Sequence, residues 1–440
     1  MSPNGLSFSE PGMVSMAGMN RLLSVDVEKK QATFQAGATV SDVVKKLRPY
    51  GLTLQNFASI SEQQLGGLIQ VGAHGTGATI PPMEEQVVEL NMVCPGTGPN
   101  VLSREKSPDL FRIVLVGLGS FGIISDVTLQ CVPEHNLEEI TTVHTRSEVK
   151  RNHSTWLKEN RHLRYMWIPY TDKVVVVKCN PHSSEPPYTH HTYFNNKAKE
   201  DFNSTMQEVL KSKGMEPQVD LPFTQIRDDL LSPPTCQNIS FVNELESRYW
   251  ESIEGSRVGR SSNILGFDCG GHQLVSEVAF PCGTIDKPDG TDIEFVEQVL
   301  KVIERNKIPA PSPIEQRWTA ASGALFSPAF STDPKKIFSW VGIIMYLPAA
   351  SSVEEMKQIM EQFHTYKKLC RDNIWDNYNA KEHWAKLEMP TDPQEKKRVA
   401  NRIQSQYDVE TWSRTLYLLD PRHKLMNEFV AFIVGKSKRR

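Results

Sequence analysis

Gly117-Leu-Gly119-Ser-Phe-Gly122 has the G-x-G-x-x-G spacing of a dinucleotide phosphate loop, yet the residues after it rule out the Rossmann fold. That fingerprint must open a helix, so that the phosphates meet the helix N-terminus. Here Ile123-Ile-Ser-Asp-Val-Thr-Leu-Gln-Cys131 continues with β-branched residues, and Val127, Leu129 and Cys131 alternate onto one face, so a strand is predicted. Taken alone, the motif reads equally well as a glycine turn between strands. A second segment, Gln63-Gln-Leu-Gly-Gly-Leu-Ile-Gln-Val-Gly-Ala-His-Gly-Thr-Gly77, ends about forty residues earlier and carries five glycines and a histidine. Backbone N–H groups without a neighbouring Cβ can approach an anion or a flat ring closely. Two such segments in one chain point to a phosphate-bearing cofactor.

The rest of the chain supplies mixed α and β patterning. Val25 and Val27 alternate before Glu28-Lys29-Lys30, and Ala32 and Phe34 after it, which predicts a hairpin. Val40, Val43, Val44 and Leu47 then fall on one helical face, stopped near Pro49 and Gly51. Arg164 to Lys178 reads as two strands around a turn at Pro169–Asp172, with four consecutive valines implying burial on both faces. Residues 183–234 turn polar and proline-rich, with a helix near Phe202–Lys211, and read as a peripheral insertion. Thr291-Asp-Ile-Glu294 has capping-box spacing ahead of a stripe of Ile293, Val296, Leu300 and Ile303. Phe338–Leu347 is a further buried strand.

The composition excludes several functions. A net charge of −3, with basic and acidic residues interspersed, provides no field for nucleic acid, so small molecules or proteins are the expected partners. Seven scattered cysteines without a CxxC pair suggest neither a disulfide framework nor a zinc site, and no metal is expected. No apolar run reaches membrane-spanning length, and the first residues carry no targeting pattern.

Pro313-Ile-Glu-Gln-Arg-Trp-Thr-Ala320 places Glu315 and Arg317 on the same face of a strand. In isolation they would be a surface ion pair worth under about 1 kcal/mol. Lys381-Glu-His383-Trp384-Ala-Lys386-Leu-Glu388 sets a histidine and a lysine three residues apart, which by itself reads as a solvated pair.

Taken in order, LQNFASISEQQLGGLIQVGAHGTGA, GLGSFGIISDVTLQC, APSPIEQRWTA, FSWVGIIMYLP and EHWAKLE resemble the aldonolactone oxidoreductases, flavoproteins of the vanillyl-alcohol-oxidase type. The resemblance runs from Met1 to about Phe432. It implies an α+β fold: an FAD-binding domain over residues 1–135, a cap domain on a large antiparallel sheet over 136–375, and a C-terminal segment, 376–440, returning to the flavin. It also implies that Ser2, Asn4, Gln63, Gly66, Gly67, Gly72, His74, Gly75, Thr76 and Gly77 line the FAD, together with Gly122, Ile123 and Ile124. Glu315 and Arg317 would face the isoalloxazine from the cap, with His383 and Lys386 beside them.

The implied chemistry is oxidation of a lactone C2 alcohol, with a hydride passing to the flavin and a proton to a base. L-galactono-1,4-lactone yielding L-ascorbate is the implied reaction, with cytochrome c as electron acceptor. The alternatives are a gulonolactone or arabinonolactone oxidase using O2, or a non-catalytic scaffold tied to assembly of respiratory complex I. Ala58, in Asn56-Phe-Ala-Ser-Ile60, stands where oxidases of the family usually have glycine, so its methyl is expected to keep oxygen from the flavin. Met1 stands where many relatives carry the histidine that bonds FAD covalently, so non-covalent FAD is expected. Cys269, in Gly266-Phe-Asp-Cys-Gly-Gly271, matches an oxidation-sensitive cysteine of relatives, although a buried structural thiol reads as well. The resemblance further implies a mitochondrial setting at the inner membrane or intermembrane space, with peripheral membrane association. Relatives carry a first β-α-β unit before the segment that opens here, so an FAD domain lacking that unit is the expectation, with weakened FAD binding if nothing precedes it.

Overall fold

The computed structural model describes residues 5–10, 12–58, 60–183, 191–212, 214, 223–266, 272–349 and 351–435. The first part contains β1 (Leu22–Asp26), β2 (Gln31–Gln35), α1 (Val40–Leu47), β3 (Leu52–Thr53), α2 (Leu65–Gln70), β4 (Val87–Cys94), β5 (Gly98–Ser103), α3 (Pro108–Val114), β6 (Ile123–Gln130) and β7 (Val132–Pro133). β1 and β2 form the predicted hairpin, with Asp26 opposite Gln31. Five strands make one antiparallel sheet in the order β1-β2-β6-β4-β5, and β3 pairs with β7. Thr39 caps α1 by accepting from the Asp42 N–H at 3.1 Å, and Val40, Val43 and Leu47 are its buried stripe. The G-x-G-x-x-G motif joins helix α3 to strand β6, so it opens a strand as the alternation predicts, although the element before it is a helix rather than a strand.

The second part contains β8 (Asn136–His144), α4 (Arg146–Glu159), β9 (His162–Ile168), β10 (Lys173–His182), β11 (His191–Tyr193), α5 (Asn196–Ser212), α6 (Phe223–Leu230), α7 (Cys236–Ser252), β12 (Gly255–Arg260) and α8 (Ser261–Leu265). It continues through β13 (Gln273–Thr284), β14 (Lys287–Pro288), α9 (Thr291–Asn306), β15 (Ile314–Ala320), β16 (Lys336–Tyr346) and α10 (Val353–Asn373). Nine of its strands lie in one sheet in the order β11-β12-β8-β10-β9-β15-β16-β13-β14, and the short β17 (Lys381–Glu382) joins through β13 as the tenth.

The valine run of β10 shows why this sheet tolerates continuous apolar strands. Val174 and Val176 pack into the core beneath α9 and α10, whereas Val175 and Val177 join the core of the five-stranded unit on the opposite face. A sheet covered on both sides needs no polar face. The stretch 183–234 is not peripheral where it is described. Phe202, Met206 and Leu210 of α5 and Ile226 and Leu230 of α6 pack with Ile239 and Val242 of α7 against Ile344 and Tyr346 of β16.

Helix α9 starts differently from its capping-box reading. Gly290 is the N-cap at φ 78°, Thr291 turns its hydroxyl to Asp289 at 2.6 Å, and Asp292 is buried. The expected apolar stripe of Ile293, Val296, Leu300 and Ile303 is fully buried. The last helices, α11 (Pro393–Gln406), α12 (Val409–Leu419) and α13 (Glu428–Val434), fold back onto the first unit. Trp412 packs 5.2 Å from Phe121 of the second glycine motif, and Gly96 donates to the Leu419 carbonyl at 2.7 Å. Among the described residues no helix is long and apolar enough to cross a membrane.

Candidate active site

Strand register assembles the site. In the central strands of the large sheet, Glu315 of β15 lies opposite Gly342 of β16, and Gly342 lies opposite Glu277 of β13. In the next row Arg317 pairs with Arg164 of β9 on one side and Trp340 on the other. Directly opposed residues of antiparallel strands point to the same face. Met166, opposite Glu315, belongs to the core of the five-stranded unit, so this face of the sheet is turned toward that unit.

On this face Arg317 Nη2 donates to Glu277 Oε1 at 2.8 Å and lies 3.4 Å from Glu315 Oε2. Arg164 Nη1 approaches Glu315 Oε1 at 3.8 Å. Glu315 and Arg317 therefore do share a face, but Arg317 is buried, which a surface ion pair would not require. Lys386 Nζ reaches Glu277 Oε2 at 3.2 Å, and the His383 N–H donates to the Glu277 carbonyl at 2.9 Å. Trp384 anchors the same segment by donating to the Phe326 carbonyl at 2.6 Å.

The first glycine segment arrives from the other unit. The Gly77 N–H donates to the Trp318 carbonyl at 2.7 Å, which bonds this segment directly to β15. His74 stacks on Trp340 with ring centres 3.7 Å apart, and its Nε2 lies 3.2 Å from Glu277 Oε1. Gly75 is required by a close approach, since a Cβ there would meet Asn56 Oδ1 at 2.1 Å and the Phe57 carbonyl at 2.4 Å. Ala58, the next residue along, is buried at 7% exposure. Gly72 adopts φ +66°, a left-handed conformation at the end of α2. Gln70 ties the two glycine motifs together, donating to the Val114 carbonyl at 2.8 Å and accepting from the Gly119 N–H at 3.0 Å.

The electrostatics follow from burial and from this convergence of cations. Burial alone would raise the Glu277 carboxyl, but the charges of Lys386 and Arg317 and the hydrogen bond from His74 outweigh it and hold it well below the usual carboxylate range. Burial lowers His74, reinforced by Arg317 and opposed by Glu277. Burial also pushes His383 well below its usual value, with Lys386, His74 and Arg317 adding to the effect against Glu277. Both imidazoles are therefore neutral near pH 7. Ligand atoms of His74, Glu277 and His383 lie within 4.8 Å of one another, but the Glu277 oxygens already face Arg317 and Lys386, cations that oppose a metal ion there.

The remaining predicted residues are placed unevenly. Thr76 spends its hydroxyl on the Leu163 carbonyl at 2.5 Å, holding the glycine segment to β9 rather than facing an open cleft. Gly66 packs on Ala36, whereas a Cβ at Gly67 would meet nothing within 4 Å. Gly122 is wedged against Met92 and Cys94, and Ile123 and Ile124 pair with Val93 and Met92 of β4. Ser2, Asn4 and Cys269 lie outside the described residues. Sequence reasoning missed Glu277: a lone carboxylate in Gln273-Leu-Val-Ser-Glu-Val-Ala-Phe280 reads as the solvated side of a strand. Its only sequence signal is that its neighbours on that face, Val275 and Ala279, are apolar.

The residues present fit FAD. Asn56 Nδ2, Gln63 Oε1 and Ser120 Oγ are buried without a hydrogen-bond partner, and they flank the two glycine segments. Unsatisfied buried donors and acceptors beside open glycine backbone suit a group that bears both kinds of polar edge.

Comparison with known proteins agrees. Residues 127–432 match the family model described as D-arabinono-1,4-lactone oxidase, and residues 2–99 match an FAD binding domain. The chain is 48% identical to an L-galactono-1,4-lactone dehydrogenase of Oryza sativa subsp. japonica, over 97% of this chain and 75% of the relative. It is 47% identical to the Arabidopsis thaliana enzyme of that name, over 98% of this chain and 73% of the relative. Both relatives are named mitochondrial. Bovine L-gulonolactone oxidase is 28% identical over 88% of this chain and 78% of its own length. In fold, the chain superposes on cholesterol oxidase from Brevibacterium sterolicum with TM-score 0.70 at 15% identity, over 98% of this chain and 87% of that one. The chain belongs to the D-arabinono-1,4-lactone oxidase family and is an FAD-dependent oxidoreductase of the aldonolactone type.

Proposed function

We propose that this protein is an L-galactono-1,4-lactone dehydrogenase that passes electrons to cytochrome c. The observation that carries the reading is the buried cluster in which the glycine segment, β15 and the segment holding Lys386 meet on Glu277. The five-stranded unit and the C-terminal helices would hold FAD, with Gly67, Gln63 and Ser120 at its polar edges, and the ten-stranded unit would cap the substrate. When bound, FAD supplies the hydride acceptor.

The chain's own residues do the rest. Glu315, with its side chain 22% exposed between Arg164 and Arg317, orients the C2 hydroxyl and takes its proton. Arg317 and Lys386 hold the lactone oxygens with fixed positive charge. The Ala385 N–H donates to His383 Nδ1 at 3.1 Å, so the single proton of this neutral ring sits on Nε2, where it can donate to a substrate oxygen. A mitochondrial location at the inner membrane or intermembrane space, peripheral membrane contact and a link to complex I assembly belong to the same reading, supported by the relatives' names only as far as the organelle.

The decisive assay is cytochrome c reduction by purified, flavin-loaded protein. Galactonolactone is expected to drive it faster than gulonolactone, and peroxide production in its place would make the protein an oxidase. Ala58→Gly is expected to raise oxygen consumption on lactone without lowering cytochrome c reduction; an unchanged oxygen rate would remove Ala58 as the gate. Mild acid precipitation is expected to release the yellow flavin into the supernatant, and flavin retained in the pellet would mean a covalent link.

A further inference from the structure

We propose that Glu277 is the positioning residue of this reaction centre: its carboxylate draws cations from separate segments into one group and sets the net charge they present. The proposal rests on the functional reading above. Glu277 is 3% exposed, and both of its oxygens are engaged. Oε1 accepts from Arg317 at 2.8 Å and lies 3.2 Å from His74, while Oε2 accepts from Lys386 at 3.2 Å. A buried carboxylate held between these partners is well below its usual range and so a poor proton acceptor, which leaves the base role to Glu315. Glu315 lies in the same row two strands away and is more exposed, with Gly342 between the two carboxylates leaving the space that any side chain would fill.

The partners of Glu277 come from three places in the chain. His74 belongs to the first glycine segment, Arg317 to the middle of the cap sheet, and Lys386 to the segment after α10. The backbone of Glu277 holds the third as well, through the His383 N–H. By formal charge, Arg164, Arg317 and Lys386 face Glu277 and Glu315, a surplus of one positive charge. Removing the Glu277 charge doubles that surplus. Positive charge favours the more negative, reduced form of a neighbouring flavin.

The test compares Glu277→Gln, which keeps shape and loses charge, with Glu277→Asp, which keeps charge on a shorter arm. In Glu277→Gln we expect kcat on galactonolactone to fall about 10²- to 10³-fold, as for loss of one preorganised electrostatic contact. KM should change less, and the flavin midpoint potential should move to a more positive value. Glu277→Asp should retain the wild-type potential and recover part of kcat. Hydrogen exchange in peptides spanning 72–77 and 383–387 should quicken in Glu277→Gln whether or not flavin is bound. Turnover within about twofold of wild type, or a fall in kcat with an unmoved potential, would overturn the proposal. If the wild-type protein does not oxidise lactone, the functional reading fails by itself. The exchange arm then still decides for Glu277, and unchanged exchange in Glu277→Gln rejects it.

Discussion

Glu315→Ala and Arg317→Ala are each expected to lower lactone-driven cytochrome c reduction by roughly 10²- to 10⁴-fold, the range for loss of a general base or of a buried electrostatic contact. Flavin content should stay near that of the wild type, because neither residue belongs to the glycine segments or supplies the polar atoms assigned to FAD. The two substitutions should still differ. Glu315 is met by Arg164 and Arg317 at 3.8 and 3.4 Å and sits at the more open end of the cluster, so its loss leaves little strain. Arg317 bridges Glu277 and Glu315, so its removal leaves Glu277 buried on Lys386 and His74 alone and should also lower stability. Arg317→Lys is expected to rescue poorly, since a compact, flexible ammonium lacks the fixed planar set of donors that the guanidinium holds beside Glu277 and Glu315. Turnover per bound flavin is the measurement, and a loss of turnover matched by an equal loss of flavin would return the pair to a structural role.

A second large effect is expected on the opposite face of the same strand. Asp292 Oδ2 is 2.8 Å from His153 Nε2 and accepts from Trp318 Nε1 at 2.8 Å, while Oδ1 accepts from the Ile293 N–H at 2.9 Å. Gln316 donates to the Asp292 carbonyl at 3.0 Å and accepts from Trp167 at 2.9 Å, so the polar residues of β15 on this side are bound into one buried network. Asp292→Ala breaks a buried pair from one side and is expected to cost about 3–5 kcal/mol of unfolding free energy. Activity and flavin should fall together with folded protein, in contrast to the loss in Glu315→Ala. Burial would raise the Asp292 carboxyl, but His153 and the donors from Trp318 and Ile293 prevail and lower it. A lowered folded-state value means that the contribution is complete above the ordinary aspartate range, near about pH 4, and fades as pH falls through the lowered value. The stability gap between wild type and Asp292→Ala, followed by denaturant unfolding, should therefore narrow in acid. A gap that stays constant across that range would show that the charge of Asp292 contributes nothing.

Much of the local structure was legible from periodicity. The β1–β2 hairpin, α1 and the apolar stripe of α9 arise from apolar spacing of two or of three and four, and the β9–β10 pair and β16 from continuous apolar runs buried on both faces. The start of α9 was misread because Thr291 and Glu294 have capping-box spacing; Gly290 takes the cap in a left-handed conformation, which frees Asp292 for a buried pair. The stretch 183–234 looked peripheral because its polar and proline content hides the apolar faces of α5 and α6 that cover β16.

By itself the sequence determined that a strand, and not a helix, comes after the second glycine motif. It also determined that Glu315 and Arg317 share one face and that the ordered motifs belong to an aldonolactone flavoprotein. These depend on residues close in the chain, where spacing alone sets direction. Only the tertiary structure decided what Arg317, His74 and Lys386 converge on. Glu277 lies 40 residues from Arg317 and 109 from Lys386 in sequence, and it meets them only because β13, β16 and β15 pair in a register that stacks Glu277, Gly342 and Glu315 in one row. Strand spacing tells which face a residue takes, but partners across strands are set by the fold of the whole sheet.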